Sequence, residues 1–238
     1  MGAGGGSVKA AFLVDFAVVK RRTAKYLAIL AVITVVCMAV MGPLPWITLY
    51  TGLLVPLMAM QILLMNDERN GWQGFRLAMP FTRRDAVLGR YAVLAAMSAA
   101  GVAVGVAGCL VAEACVLWAP ALTAAMRYPY LFDGSIMALS IAASLFIPLV
   151  MAGVSLPLAM RLGYTRTVQF VPVLFMMVFP LAPVLLRPGS GFDASAFMAF
   201  ATTPEGAVVV TAGLLVVACA LYAASAWLTY RLCRKRGF

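Results

Sequence analysis

The chain of 238 residues contains no histidine, and only 8 of its residues are acidic. Without histidine it cannot form an HExxH zinc site, a Ser–His protease pair or a histidine-ligated redox centre. It also lacks the pair of closely spaced aspartates at the end of an apolar run that a metal–diphosphate enzyme would need. We therefore expect no catalytic residue, metal or cofactor in this chain.

Charged residues are scarce as well, at 11% of the chain, whereas hydrophobic residues make up 64%. A soluble domain is about half apolar and about a quarter charged, so much of this protein's surface must face lipid. The apolar runs are continuous and do not alternate, which favours helices over a membrane barrel. The sequence predicts an all-α, polytopic integral membrane protein with one membrane domain.

Six apolar runs approach the roughly 20 residues that a bilayer crossing needs. The predicted spans are 26–42, 46–65, 91–118, 135–158, 168–186 and 204–230. They form a transmembrane domain of residues 26–230, with a polar stretch at 66–90 and an outer segment at 187–203. Residues 1–25 are predicted to be a cytoplasmic amphipathic segment on the inner leaflet, in which Phe12, Phe16 and Val19 share a helical face. Residues 231–238 form a basic tail.

The basic residues predict the orientation of these spans. Of 18 Lys and Arg residues, five precede the first span, five lie in 66–90, two are Arg161 and Arg166, and four are in the tail. Basic residues in short loops mark the cytoplasmic side. We therefore expect both termini in the cytoplasm and a multi-pass membrane protein. The net charge of +10 is a topology signal, since no water-facing basic domain is available for nucleic acid.

The polar stretch 66–90 contains a second amphipathic pattern. Trp72, Phe75 and Met79 recur at helical spacing, with basic residues among them, and Pro80 follows. This pattern predicts a helix of a few turns at the inner surface, which Pro80 ends.

The residues after Pro80 carry a helix-start signal. Thr82 is positioned to cap the next helix while Asp85 reaches back to it, as in a capping box with Asp in place of Glu. Arg83, Arg84 and Arg90 are then expected to anchor the mouth of the third span. Taken alone, these features describe an interfacial elbow that orients two helices.

Three strings in this stretch resemble a known loop. Residues 67–72 (DERNGW), 77–87 (LAMPFTRRDAV) and 90–91 (RY) resemble the loop after the second span of small bacterial type-2 ABC export permeases. The pattern of that family is an acidic pair, a polar helix, Leu-Pro-Val-Ser-Arg, a valine and Lys-Tyr. This chain departs from it conservatively, at Met79, Phe81, Thr82 and Arg90. Outside this stretch the resemblance is limited to the general arrangement of helices.

The resemblance implies a function for residues 66–90. In that family the loop carries a coupling helix that docks on a separate ABC ATPase, and two membrane subunits, identical or related, work with two ATPases. ATP and Mg²⁺ would belong to the ATPase, since this chain has no phosphate loop. The implied coupling residues are Asp67, Glu68, Arg69, Trp72, Phe75, Arg76, Met79, Pro80, Thr82, Arg83 and Arg84.

A second set of candidates lies toward the predicted outer side. Glu113 is the one acid well inside an apolar run, and helical rise places it near the outer surface. It is either a solvated interfacial acid or a polar group lining the transport pathway. Phe192, Phe197 and Phe200 of the outer segment either anchor that segment among lipid headgroups or gate the exit.

Two further interpretations remain open from the residues alone. A membrane protein that binds a partner without transport, such as an immunity or assembly factor, accounts for the span count equally well. An ion-coupled carrier would need paired charges at mid-membrane, which the sequence lacks.

The GxxxG of Gly101 and Gly105 favours packing within the chain over a dimer seam.

Overall fold

The computed structural model describes residues 4–41, 45–69, 82–118, 133–163, 166–167 and 194–235. All the regular structure in these ranges is helical, as predicted. The helices are α1 (Gly4–Met41), α2 (Trp46–Arg69), α3 (Arg83–Trp118), α4 (Gly134–Leu162), α5 (Ala194–Ala201) and α6 (Pro204–Lys235).

Four of the described helices are long and apolar enough to cross a membrane. These stretches are Ile47–Asp67, Arg83–Ala114, Gly134–Leu162 and Pro204–Arg234. They overlap almost all of the predicted second, third, fourth and sixth spans. The predicted first span lies in α1, which is not among the four, and the predicted fifth span at 168–186 lies outside the described residues. The count of six spans therefore stays a prediction.

Helix α1 joins two elements that the sequence analysis separated. The amphipathic segment and the predicted first span form one continuous helix, because residues 20–25 (KRRTAK) contain no glycine or proline to interrupt it. Ala11, Asp15, Val19 and Thr23 are buried at four-residue spacing. This face packs inside the protein, where the Cβ of Ala11 meets the backbone at Gly89 of α3 so closely that a Cβ at Gly89 would lie 2.8 Å from it.

Helices α2 and α3 run antiparallel in close contact. A Cβ at Gly101 would lie 2.6 Å from the carbonyl oxygen of Thr51, and a Cβ at Gly105 would lie 2.6 Å from the Cα of Thr48. Small residues let helices approach this closely in a membrane, where packing contributes more than apolar burial does. The prediction that this GxxxG packs within the chain is confirmed.

The helix ends form two groups, one at each end of the bundle. The end of α2 lies beside the start of α3, since Asp67 bonds Arg90, and the end of α6 lies there too, since Arg83 bonds the carbonyl oxygen of Cys233. We call this the Arg83 end of the bundle. The starts of α2 and α4 meet the far part of α3 at the opposite end, around Thr48, which we call the Thr48 end. Helix α4 ends and α6 starts at opposite ends of the bundle, as the predicted fifth span requires.

Two helix starts are capped by side chains, and the first of them, at Thr82, was predicted. The Thr82 and Asp85 side chains cap α3 reciprocally: the Thr82 amide donates to Asp85 Oδ2 at 3.1 Å, and the Asp85 amide donates to Thr82 Oγ1 at 3.2 Å. At α6, the Gly206 amide donates to Thr203 Oγ1 at 3.1 Å, with Pro204 as the first helical residue. Both caps satisfy amides that would otherwise lack a helical partner.

Candidate functional site

The described residues that flank segment 70–81 are fixed by contacts at the Arg83 end. This segment follows α2 and precedes α3, so its ends are positioned by Asp67 on one side and by Thr82 to Asp85 on the other. The structure of segment 70–81 itself lies outside the described residues. The candidate site is therefore built from the contacts that fix its two ends.

Arg90 is the centre of a buried ionic cluster. Its Nη1 and Nη2 donate to Oδ2 and Oδ1 of Asp67, the second at 2.9 Å, and its Nε lies 3.6 Å from Oδ2 of Asp15. Arg90 is 2% exposed and Asp15 is fully buried. We call these three residues the Arg90 cluster. Because they come from α1, α2 and α3, the cluster joins three helices next to segment 70–81.

The chemistry of the Arg90 cluster makes it both strong and sensitive to substitution. A guanidinium presents a planar fork of donors that matches a carboxylate with two parallel bonds, as it does at Asp67. The cost of taking these charges out of water is offset only while each has its partner. Losing one partner of a buried pair costs about 3–5 kcal/mol, because a charge stays behind in an apolar surrounding.

A second set of contacts fixes α3 to α6 on the other side of the same helix. Tyr91 Oη lies 2.7 Å from Ser225 Oγ and 2.8 Å from Thr229 Oγ1, and the Tyr222 hydroxyl donates to the Tyr91 carbonyl at 2.7 Å. The Ser225 hydroxyl donates to the carbonyl of Gly153 in α4. Since Ser225 uses its hydrogen there, it accepts from Tyr91, which in turn accepts from Thr229. We call Tyr91, Tyr222, Ser225 and Thr229 the Tyr91 network.

Arg83 adds a contact between the start of α3 and the end of α6. Its Nη1 donates to the carbonyl oxygen of Cys233 at 3.0 Å. Carbonyls in the last turn of a helix lack a partner within the helix, and a basic side chain there also complements the helix dipole. Arg84 is exposed at the same end.

The predicted coupling residues fall into three groups. Thr82 and Arg84 are exposed and Arg83 is half-buried, whereas the Asp67 side chain is buried in the Arg90 cluster. Glu68 and Arg69 are in the last turn of α2, and their side chains lie outside the described part. The remaining predicted coupling residues also lie outside it: Trp72, Phe75, Arg76, Met79 and Pro80.

Arg90 requires a correction. The sequence analysis placed it with Arg83 and Arg84 as an anchor at the mouth of the third span, but its side chain is buried and turned inward. The reason is Asp15, which the sequence analysis did not single out. Asp15 is the one acid in the first 66 residues, and it lies three residues after Phe12 and four before Val19 on the apolar face. An acid on an apolar helical face was the signal that a buried basic partner exists.

The described outer candidates lie on two different helices, α3 and α5. Glu113 is half-exposed near the end of α3, one turn after the buried Cys109. Phe197 and Phe200 are 41% and 48% exposed on α5. Phe192 lies outside the described residues. The predicted roles of these side chains in a pathway or gate stay predictions.

The fold and composition together define a multi-pass helical membrane protein. Its sequence matches the family described as ABC-2 family transporter proteins over residues 12–234, which is nearly the whole chain. The chain belongs to this family, and it is a transmembrane permease of the ABC transporter class. A comparison with curated protein sequences gave no significant match.

Proposed function

We propose that this chain is the membrane subunit of an ATP-driven exporter in the bacterial cell membrane, and that it carries no catalytic activity of its own. ATP and Mg²⁺ would bind to a separate ABC ATPase. Two permeases, identical or related, and two ATPases would form the transporter. The family match over residues 12–234 is the observation that carries the proposal.

We infer that residues 66–90 are the contact with the ATPase. The residues on either side of segment 70–81 lie at the Arg83 end, where the Arg90 cluster and the Thr82 cap fix them. A short amphipathic helix with Trp72 and Phe75 as anchors suits a groove on a partner, with basic residues pairing at the rim. Exposed basic residues at the same end, such as Arg84, Arg161 and Arg234, support a cytoplasmic location for it.

The proposed mechanism follows from this geometry. When ATP closes the two ATPases, each would displace the segment docked on it, and the displacement would pass into α2 and α3 through the contacts at its two ends. A change in the arrangement of packed helices can then switch a cavity between the two sides of the membrane. On this account Asp67 acts by holding Arg90, because its carboxylate is buried against Arg90 and is not available to the ATPase.

Affinity purification tests the proposal. The tagged chain is solubilised in mild detergent and the co-purifying proteins are identified by mass spectrometry. We expect a stoichiometric soluble ATPase with a phosphate loop. Trp72→Ala should abolish its recovery while membrane insertion is unchanged, because the anchor of the docked helix is lost.

The chain provides a matched control for this experiment. Trp118 ends α3 at the Thr48 end and is 90% exposed, so Trp118→Ala removes the same side chain far from segment 70–81. ATPase recovery should be normal in this variant. A stable complex that contains no ATPase would instead favour a partner-binding membrane protein without transport, and residues 66–90 would then be an interfacial elbow.

A further inference from the structure

Two consecutive residues of α3 connect it to all the other long helices. Arg90 contacts Asp15 of α1 and Asp67 of α2. Tyr91 contacts Ser225 and Thr229 of α6, and Ser225 in turn donates to the Gly153 carbonyl of α4. The two side chains leave α3 on different sides, and the backbone of residues 90 and 91 joins the Arg90 cluster directly to the Tyr91 network.

We propose that Arg90 and Tyr91 are paired positioning residues that pass movement of the docking segment to α4 and α6. This inference rests on the proposed function. Arg90 would receive the displacement, because its partner Asp67 lies three residues before segment 70–81. Tyr91 would deliver it, because the buried Tyr91 network binds α6 and, through Ser225, α4, in addition to the bond between Arg83 and the end of α6.

The contacts of Arg90 and Tyr91 are suited to pass a displacement of α3 to the neighbouring helices. The residues are buried, with Arg90 2%, Tyr91 4% and Thr229 1% exposed, so their bonds are not exchanged for bonds to water. Hydrogen bonds join residues 90 and 91 to α2 and α6, the ion pair with Asp15 joins them to α1, and Ser225 extends the Tyr91 network from α6 to α4. The Tyr222 ring adds a contact, with its centroid 4.8 Å from that of Tyr91. A displacement of α3 at this level therefore changes the contacts of α4 and α6 together.

The test uses hydrogen–deuterium exchange on the complete complex with its ATPase, compared without nucleotide and with Mg-ATP and vanadate. In the wild type we expect exchange to change both at the end of α2 and in the halves of α4 and α6 near the Arg83 end. Thr229→Val removes one hydroxyl of the Tyr91 network and keeps the side-chain shape. It should leave the change at α2 intact and reduce the changes in α4 and α6 by at least half.

Two control variants isolate the hydroxyl. Thr229→Ser keeps the hydroxyl and should respond as the wild type does. Tyr91→Phe removes the central hydroxyl and should reproduce the loss, whereas Tyr50→Phe makes the same change at a tyrosine that is 64% exposed on α2 and should respond normally. If Thr229→Val does not fold, Tyr91→Phe and Ser225→Ala carry the test.

The outcomes separate the two proposals. If no ATPase co-purifies with the wild type, both the proposed function and this inference are overturned. If the ATPase binds and the change in the wild type is confined to α2, or if the Thr229→Val and Tyr91→Phe complexes respond fully in α4 and α6, only the inference is overturned. Loss of the response at α2 in these variants would also overturn it, because the Tyr91 network would then support docking itself.

Discussion

The two ends of the helix bundle are held by different kinds of contact. At the Arg83 end, charged and hydroxyl groups bond across helices with defined donors and acceptors. At the Thr48 end, glycines bring α2 against α3, and Thr48 Oγ1 lies 3.7 Å from Cys109 Sγ and 3.9 Å from Met137 Sδ. Directional bonds fix register, whereas close packing through small groups sets the distance between helices.

If the chain works with an ATPase as proposed, the Arg83 end would receive its signal, whereas the Thr48 end is set by packing. Bonds with fixed partners can be broken singly, by removing one charge or one hydroxyl. Packing is disturbed by adding volume. We therefore compare substitutions at the two ends of the bundle, in order of decreasing expected effect on stability.

The largest loss is expected from Arg90→Met. Two carboxylates, Asp15 and Asp67, would lose their shared partner while buried, at a cost of about 3–5 kcal/mol. Thermal unfolding in detergent measures the loss. Arg84→Met is the control: Arg84 is exposed at the same end, and its substitution should change stability by less than about 0.5 kcal/mol. Equal unfolding temperatures for the two variants would contradict the structural role of the Arg90 cluster.

A smaller loss is expected at the Thr48 end from Gly105→Ala. The added Cβ would lie 2.6 Å from the Cα of Thr48, so α2 and α3 must separate, and overpacking of this kind costs about 1–3 kcal/mol. Gly213→Ala is the matched control in α6, where a Cβ meets nothing within 4 Å. Alanine should stabilise that helix slightly, since it replaces glycine in a helix interior. Unfolding of both variants in the same detergent gives the comparison.

Removing the cap at the start of α3 should destabilise the protein less than Gly105→Ala does. Thr82→Ala deletes the oxygen that accepts from the Asp85 amide, and loss of an N-cap costs about 1 kcal/mol. Thr82→Ser retains a hydroxyl and should restore most of the stability. Hydrogen exchange in the first turn of α3 reports the effect locally. Equal protection in the alanine and serine variants would show that the cap contributes nothing there.

The smallest effect on stability, and a clear one on binding, is expected from Arg84→Glu. The side chain is exposed, so folding should be unaffected, but reversing a charge at the rim of the docking surface should slow association with the ATPase and weaken its salt dependence. Association rates measured at two salt concentrations test this, with Arg84→Lys as the charge-preserving control. Identical rates for both variants would place Arg84 outside the interface.

The sequence predicted those features that depend on neighbouring residues. The cap at Thr82 and the close packing at Gly101 and Gly105 are encoded by short spacings, and the structure contains them. The all-helical fold follows from the long apolar runs.

The Arg90 cluster could not be predicted in the same way. The place of Asp15 on an apolar face indicates a buried basic partner, but Asp15 and Arg90 are distant in sequence, so nothing local identifies Arg90 as that partner. Without that partner, an arginine at the mouth of a span is expected to reach the headgroups, which is why Arg90 was assigned there. The separation of α1 into two elements failed for a related reason, since a basic stretch favours the interface but contains nothing that ends a helix.

Photo-crosslinking from segment 70–81 tests the central claim most directly. A benzoylphenylalanine is placed at Phe75, and in a second variant at Trp118 as the control, and the complex is irradiated in native membranes. If residues 66–90 contact the ATPase, we expect a crosslink to a soluble ABC ATPase from position 75 and none from position 118. A crosslink from position 75 to lipid or to another membrane protein, with no ATPase adduct, would contradict the assignment of residues 66–90 as the docking site.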